Sequence, residues 1–294
     1  MRARFCLLAL FVAMLLKLLL AQPTSLPARW DWRRVGAAGA REWSRQIGRP
    51  LRPGRYCADV YDQHRHGYCG FCFAVAPLQA ILDQLRIGQR ISMATRLDLA
   101  HAAAQVAFSR REDGLLRATA GRGAESSVCF GGDPAEVIRL LQDRRMGLKF
   151  AASDGGSLTR APDPSAQPPP PDTFVSLRAE LVTRAPVDNL KWYVYSHGPI
   201  VAYVASSTLL DPSDPSRADV IDHVVTIVGW TRTHWIARNS WGTSGFTRAR
   251  PQQPQRHVLQ LTPLVPWKSD GRGCFHIPLG KELRLIKLSE LRPC

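Results

Sequence analysis

Three residues of this chain have the types and the spacing that nucleophilic catalysis requires: Cys72, His223 and Asn239. Cys72 stands just before a helical pattern, and the unpaired N–H groups at the start of a helix favour a thiolate. A thiolate also needs a proton acceptor, and His223 opens an apolar run typical of a β-strand. Asn239 follows 16 residues later, after the next such run. Two adjacent antiparallel strands would bring its amide oxygen to the imidazole N–H and fix the tautomer of His223.

Simpler interpretations of the same residues stay open at this point. Cys69-Gly-Phe-Cys72 is a CxxC sequence, so Cys72 could be half of a redox pair, although the βαβ context of a thioredoxin-like motif is not visible. Cys72 could also be a core cysteine, and His223 by itself would be interpreted as a satisfied core histidine. Asn189 and Asn239 are the only asparagines in the chain, so an Asn at this spacing is not an effect of composition. The pattern as a whole favours catalysis.

Four segments of the chain resemble the papain-like cysteine peptidases. Residues 26–33 resemble the mature N-terminus of that family, and residues 63–74 resemble its nucleophile motif. Residues 129–132, Cys-Phe-Gly-Gly, resemble the loop that lines the substrate groove, and residues 222–242 contain the His and Asn-Ser-Trp-Gly motifs. The resemblance implies an α+β fold in which a helical lobe and a β-barrel-like lobe flank an active-site cleft. It also implies a cysteine peptidase that acts on peptide or protein substrates.

The resemblance assigns a role to each residue of the site. Cys72 would be the nucleophile and His223 the base that becomes an imidazolium. Asn239 would orient His223, and Trp241 would cover their hydrogen bond from water. Gln63 would donate its side-chain amide to the developing oxyanion, together with the backbone N–H of Cys72.

Two glycines and two cysteines complete the implied site. Gly131 and Gly132 would let the substrate backbone approach and pair as a strand does, although they could also be only a turn. The resemblance further implies a disulfide between Cys69 and Cys129, and it requires Cys72 to be free. The pairing of the other cysteines after the leader stays open: Cys57, Cys274 and Cys294.

The segment between Gln63 and Cys72 is longer than in most of the family, with eight residues instead of five. One branch, the cathepsin X (cathepsin Z) carboxypeptidases, has the same enlargement and a His directly after the Gln, as His64 stands here. In that branch the loop limits the cleft to one residue beyond the scissile bond, which implies release of single C-terminal residues. Arg65 and His66 would add positive charge for the substrate carboxylate. A solvated loop, an endopeptidase and an inactive peptide-binding homologue are the alternatives.

Local patterns predict the elements that must position these residues. Apolar residues at i, i+3, i+4 and i+7 predict a core-facing helix after Cys72. These residues are Leu78, Ile81, Leu82 and Leu85. Pro77 should remove one hydrogen bond of that helix and kink it. Phe71 and Phe73 replace the usual Ser and Trp of the family, and we expect them either to crowd the cleft or to change substrate choice. Asp133 should cap a second helix, with Glu136 returning a hydrogen bond.

The second half of the chain has strand patterns at residues 199–205, 223–230 and 234–241. Residues 36–56 are rich in Gly and Arg and are interpreted as an extended surface insertion. We therefore predict a mainly helical lobe over residues 22–157, a proline-rich linker over 158–172 and a mainly β lobe over 173–294.

The N-terminus predicts the cellular route. Residues 1–21 combine a basic start, an apolar stretch and a small residue at Ala21, which is typical of a cleaved signal peptide. We expect entry into the secretory pathway and a lysosome-like or extracellular destination. Only residues 22–25 separate Ala21 from the predicted mature start, so we expect no inhibitory propeptide between them.

Composition narrows the remaining function classes. Hydrophobic residues make up 45% and charged residues 21% of the 294 positions, which excludes a disordered or fibrous chain. The net charge of +15 has no accompanying nucleic-acid motif. No apolar run after the leader is long enough to span a bilayer. We expect a monomer without a nucleic-acid partner, cofactor, metal or stable membrane insertion.

Overall fold

A computed structural model describes residues 25–63, 69–113, 127–151, 167–206, 221–243 and 270–294 of the chain. Its helices are α1 (Ala37–Ile47), α2 (Cys72–Ile87), α3 (Leu99–Glu112), α4 (Pro134–Gln142) and α5 (Val187–His197), with a short 3₁₀ helix at Ser127–Phe130. Its strands are β1 (Trp30–Asp31), β2 (Arg96–Leu97), β3 (Phe150–Ala151), β4 (Val175–Val182), β5 (Ile200–Val204), β6 (His223–Trp230), β7 (His234–Arg238), β8 (Cys274–Pro278) and β9 (Arg284–Pro293). The helices precede most of the strands, as the sequence predicts.

The main sheet is antiparallel, and β6 and β7 are neighbouring strands inside it. Within the described residues it contains seven strands in the order β4-β9-β5-β6-β7-β8, and β1 pairs with β6 from the side. Thr226 of β6 lies opposite Arg238 of β7, so Asn239 begins the chain segment that leaves the sheet. The three predicted strands are therefore confirmed, although the third ends at Arg238 instead of 241. His223 opens β6, and Asn239 directly follows its antiparallel neighbour β7.

Helix α2 is the central helix of the fold. The four predicted apolar residues are at most 1% exposed, so the predicted stripe is confirmed. All the other residues of α2 are buried as well, because elements pack on every side of the helix. Pro77 lies inside α2, and the helix continues past it to Ile87.

Residues 36–56 are not the extended surface insertion that their Gly and Arg content predicts. Ala37–Ile47 form helix α1, and Trp43 inserts from it into the core with no exposed surface. The indole N–H of Trp43 donates to the carbonyl of Tyr195 at 2.6 Å. The packing of one aromatic side chain stabilises a helix that has few other apolar residues, which is why local composition misses it.

Two clusters of buried apolar side chains form the core. One cluster centres on α2, α3 and α4 and includes Leu288 of β9. The other centres on β6, β7 and β8 and includes Trp32 and Trp43 from the N-terminal part of the chain. Each cluster thus contains residues from both predicted lobes. The division of the chain into those two lobes stays a prediction.

We find no helix among the described residues with the length and apolar content needed to cross a membrane.

Candidate active site

The loop that carries Cys72 is tied to the loop that carries the paired glycines. A disulfide joins Cys69 to Cys129, and the N–H of Gly70 donates to the carbonyl of Cys129 at 2.8 Å. A Cβ at Gly70 would lie 3.0 Å from that carbonyl oxygen, so the close approach favours glycine. The predicted disulfide is therefore confirmed. The redox interpretation of the CxxC sequence is wrong, because Cys69 pairs outside it and Cys72 is a free thiol.

His223 and Asn239 are hydrogen-bonded as the strand pairing predicts. The imidazole Nε2 lies 2.7 Å from Asn239 Oδ1, and both residues are buried. The backbone N–H of Ser240 donates to the same Oδ1 at 2.8 Å. Because Oδ1 can only accept, Nε2 must carry the proton of a neutral imidazole, which leaves Nδ1 with the lone pair. The Trp241 ring stacks on the imidazole with 4.4 Å between their centroids and shields that side of it.

Cys72 is the first residue of α2, and its sulfur lies at the start of β6. The backbone N–H of Val224, the residue after His223, donates a hydrogen bond to the thiol. The Cys72 sulfur therefore contacts the residue that follows His223, although 151 positions separate Cys72 from His223 in the sequence.

The pKa of the Cys72 thiol is raised to about 11. Burial is the main cause, and the carboxylate of Asp222 adds to it. The N–H groups of Val224 and Phe73 act in the opposite direction, but their effect is smaller. The N–H groups at the helix start do favour the thiolate, as predicted, because they lower the thiol pKa. Desolvation outweighs them, so the thiol needs a base to ionise at neutral pH, which was also predicted.

Gln63 lies beside the nucleophile loop and is held by three hydrogen bonds. Its side-chain Nε2 donates to the carbonyl of Cys69 at 2.6 Å, and its Oε1 accepts from the hydroxyl of Ser240 at 2.5 Å. Its backbone N–H donates to the carbonyl of Ser240 at 2.8 Å. No hydrogen bond to a described residue uses the second hydrogen of Nε2, so that hydrogen can serve a developing oxyanion.

Ser240 was missed by the reasoning from sequence. It anchors both Asn239, through its N–H, and Gln63, through its hydroxyl. The signal that could have identified it is its place inside the Asn-Ser-Trp-Gly motif, between two residues that were assigned roles.

Arg110 holds the glycine loop and was also missed. Its guanidinium donates to the carbonyl of Gly131 at 3.0 Å and makes two hydrogen bonds of 2.7 Å to Glu136. A Cβ at Gly132 would lie 2.3 Å from that guanidinium and 2.7 Å from the ring of Phe73, so only glycine fits there. The predicted return of a hydrogen bond from Glu136 to Asp133 is therefore not what the structure has, because Glu136 pairs with Arg110. The N-cap itself is confirmed, since Asp133 accepts from the N–H of Ala135.

Phe71 and Phe73 do not crowd the cleft, so the first of the two expected effects is wrong. Both side chains are fully buried and pack edge to face, 5.7 Å between centroids. The Arg110 guanidinium lies over the Phe73 ring at 4.9 Å, so Phe73 supports the glycine loop from below.

The chain is similar in sequence to one known protein and in fold to several solved structures. Cathepsin Z of Onchocerca volvulus is 23% identical over 243 residues, which cover 74% of this chain and 67% of that protein. The fold is that of the papain-like cysteine peptidases. No protein-family model matches the chain.

Two solved structures from the larval midgut of Tenebrio molitor share the fold. Digestive procathepsin L 3 has a TM-score of 0.55 and 14% identity, covering 92% of this chain and 72% of its own. Procathepsin L2 proteinase has a TM-score of 0.50 and 16% identity, covering 90% and 69%.

Some predicted residues of the site lie outside the described residues. These are His64, Arg65 and His66, so the predicted carboxylate-binding loop stays a prediction. Among the described residues, no group of three or more His, Cys, Asp or Glu side chains is arranged to hold a metal ion.

Proposed function

We propose that this papain-like protein is an active cysteine peptidase that removes single residues from the C-terminus of its substrates. The observation that carries the peptidase activity is the convergence of Cys72, His223 and Asn239, with the Cys72 sulfur at the start of the strand that His223 opens. These three side chains supply a nucleophile, a base and a group that orients the base.

The proposed reaction begins with a proton transfer from Cys72 to Nδ1 of His223. The thiolate attacks the scissile carbonyl, and the second Nε2 hydrogen of Gln63 and the backbone N–H of Cys72 stabilise the oxyanion. The imidazolium then gives its proton to the leaving amine, and a thioester forms on Cys72. Water activated by His223 hydrolyses the thioester and restores the thiol. Asn239 stabilises the imidazolium throughout, because its Oδ1 accepts from Nε2.

The proposed substrate groove runs along Gly131 and Gly132. A peptide can approach this edge closely because neither residue has a side chain, and it can pair with the loop backbone as an added strand does. Arg110 keeps the loop in place through the Gly131 carbonyl. Trp241 closes the opposite side, over the imidazole.

The restriction to C-terminal residues is supported by the loop between Gln63 and Cys72. Its eight residues match the enlargement of the cathepsin X branch, and a protein with the name cathepsin Z is similar over most of this chain. His64 and Arg65 would provide positive charge for a free substrate carboxylate.

Mass spectrometry of peptide products tests this proposal. One peptide is presented with a free C-terminus and again with an amidated one, to the intact protein and to a folded Cys72→Ala variant. We expect single residues to be released only from the free-acid peptide and only by the intact protein. Internal cleavage of both peptides would instead establish an endopeptidase and refute the role of His64 and Arg65.

An inactive peptide-binding protein is the second candidate. The observation that favours it is the burial of Cys72, since desolvation disfavours the thiolate that must attack a peptide bond. Absence of any Cys72-dependent product from the folded protein, together with binding of the free-acid peptide, would establish this candidate.

We infer that the protein acts in the secretory pathway as a monomer. The Cys69–Cys129 disulfide suits an oxidising compartment, and residues 1–21 have a signal-peptide pattern. N-terminal sequencing of the protein secreted from cultured cells should give Gln22 as the first residue, and light scattering should give the mass of one chain. A retained Met1 or a dimer mass would contradict the respective inference.

A further inference from the structure

A cavity lies at the opposite end of α2 from Cys72. It has a volume of about 850 Å³ and is formed by residues around 52–59 and 86–96. Arg86, which lies on its inner side, is 14 residues along α2 from the nucleophile, a distance of about 21 Å at the rise of an α-helix. None of the residues assigned to the active site lines this cavity.

The rim of the cavity carries an excess of positive charge. Arg52, Arg55 and Arg96 line it, and Asp59 is the one acidic residue among the lining residues that the structure describes. Arg55 and Arg96 both approach Asp59, at 3.2 and 3.6 Å, so a single carboxylate serves two guanidinium groups. Arg52 makes no side-chain ion pair with any described residue. The rim therefore has guanidinium N–H groups that are not paired with a carboxylate of a described residue.

The positive charge continues behind the cavity. Arg86 and Arg238 are both 2% exposed, and they share one buried carboxylate, that of Asp83, at 3.7 and 2.8 Å. The Nε of Arg86 has no hydrogen-bond partner among the described residues. Two buried cations against one buried anion leave a net charge that the protein interior stabilises poorly. A negative charge in the cavity would offset it.

The cavity also has an apolar part. Pro53, Ile91 and Met93 lie among the arginines, and Met93 is 39% exposed, which is unusual for a large apolar side chain. A cavity of this size is in the range that encloses organic ligands, and one inorganic oxyanion would fill a small part of it. Its ligand should therefore combine carboxylates with apolar groups.

We propose that this cavity is a binding site for an acidic segment of polypeptide. Carboxylates of the segment pair with Arg52, Arg55 and Arg96, for which the planar guanidinium is suited. Its apolar side chains cover Met93 and Ile91. The site is separate from the catalytic cleft and would recruit proteins that carry acidic stretches, whether or not Cys72 is active.

Fluorescence anisotropy with labelled peptides tests the site. The Cys72→Ala protein is used so that no peptide is cleaved, and the peptides have amidated C-termini so that no terminal carboxylate contributes. One peptide alternates Glu or Asp with Leu, and its match has Gln or Asn in place of the acids. The variant R52E/R55E is compared with R178E/R184E, which changes the net charge equally at two exposed arginines of the β4 region.

We expect the acidic peptide to bind at least about tenfold more tightly than its amide match, as charge-assisted hydrogen bonds do. R52E/R55E should lose this binding by about tenfold or more, and R178E/R184E by less than about twofold. Equal losses in the two variants would show attraction to net charge alone and overturn the proposal. So would equal binding of the two peptides. Displacement of the peptide by inorganic phosphate, at an ionic strength where chloride has no effect, would assign the cavity to a small oxyanion instead.

Discussion

Replacing His223 by Ala should abolish the reactivity of Cys72 near neutral pH while leaving the thiol in place. Burial raises the pKa of this thiol to about 11, so without a base only about one molecule in 10⁵ is a thiolate at pH 6. A cysteine paired with a histidine can have a pKa of about 4 and is a thiolate at the same pH. Because the intrinsic nucleophilicity of a thiolate falls with its pKa, about three of these five decades are cancelled. The expected net loss of alkylation rate is therefore about 100-fold.

The pH dependence of the alkylation rate shows in which direction the pKa of the Cys72 thiol is shifted. A raised thiol pKa means that the reactive form appears only as the pH rises towards that value. In the His223→Ala protein the logarithm of the alkylation rate should increase by about one for each pH unit between 6 and 10. In the intact protein the rate should change little over the mildly acidic range, because the thiolate and imidazolium form together.

The assay is iodoacetamide labelling, followed by mass spectrometry of the peptide that contains each cysteine. Cys294 is exposed and free, so its labelling gives an internal reference in every sample. His234→Ala is the matched control, because His234 also opens a strand but bonds to Thr233 and has no contact with Cys72. If His223→Ala keeps the labelling rate of the intact protein at pH 6, the thiolate is stabilised by the helix start and the reasoning from desolvation is refuted.

Three further predictions concern groups around the site. Asn239→Ala removes the acceptor that holds the imidazole and should lower kcat/KM by about tenfold, the value of one buried hydrogen bond; an unchanged kcat/KM would contradict its orienting role. Arg110→Met releases the glycine loop and should raise KM more than it lowers kcat, whereas a fall in kcat alone would show that the loop does not bind substrate. Asp83→Asn leaves buried Arg238 without its counter-charge, and urea unfolding should show a loss of about 3–5 kcal/mol. The exposed control Asp59→Asn should lose less than about 1 kcal/mol, and equal losses would contradict the burial argument.

Local sequence patterns were sufficient for the elements that carry the proposed chemistry. The apolar spacing after Cys72 predicts α2, and the β-rich runs predict β5, β6 and β7, because side-chain periodicity follows directly from backbone geometry. The antiparallel pairing of β6 and β7 then brings His223 to Asn239. The resemblance to the papain-like peptidases supplied the Cys69–Cys129 disulfide, which no local pattern specifies.

Contacts between residues far apart in the chain were decided only by the tertiary structure. Helix α1 forms because Trp43 packs in the core, and Phe73 turns inward because Arg110 and Gly132 lie on it. The same holds for Ser240, whose hydroxyl reaches Gln63 across 177 positions. These interactions depend on which surfaces meet, and a short window of sequence contains no information about its distant partners.

The protonation of Cys72 shows the difference most clearly. Its place at the start of a helix is visible in the sequence, and the N–H groups there do lower its pKa. The larger effect is burial beneath β6, which raises the pKa and leaves the proposed chemistry dependent on His223. Desolvation is set by everything that packs around a group, so the sequence determined which residues are present, and only the fold determined the charge that Cys72 can hold.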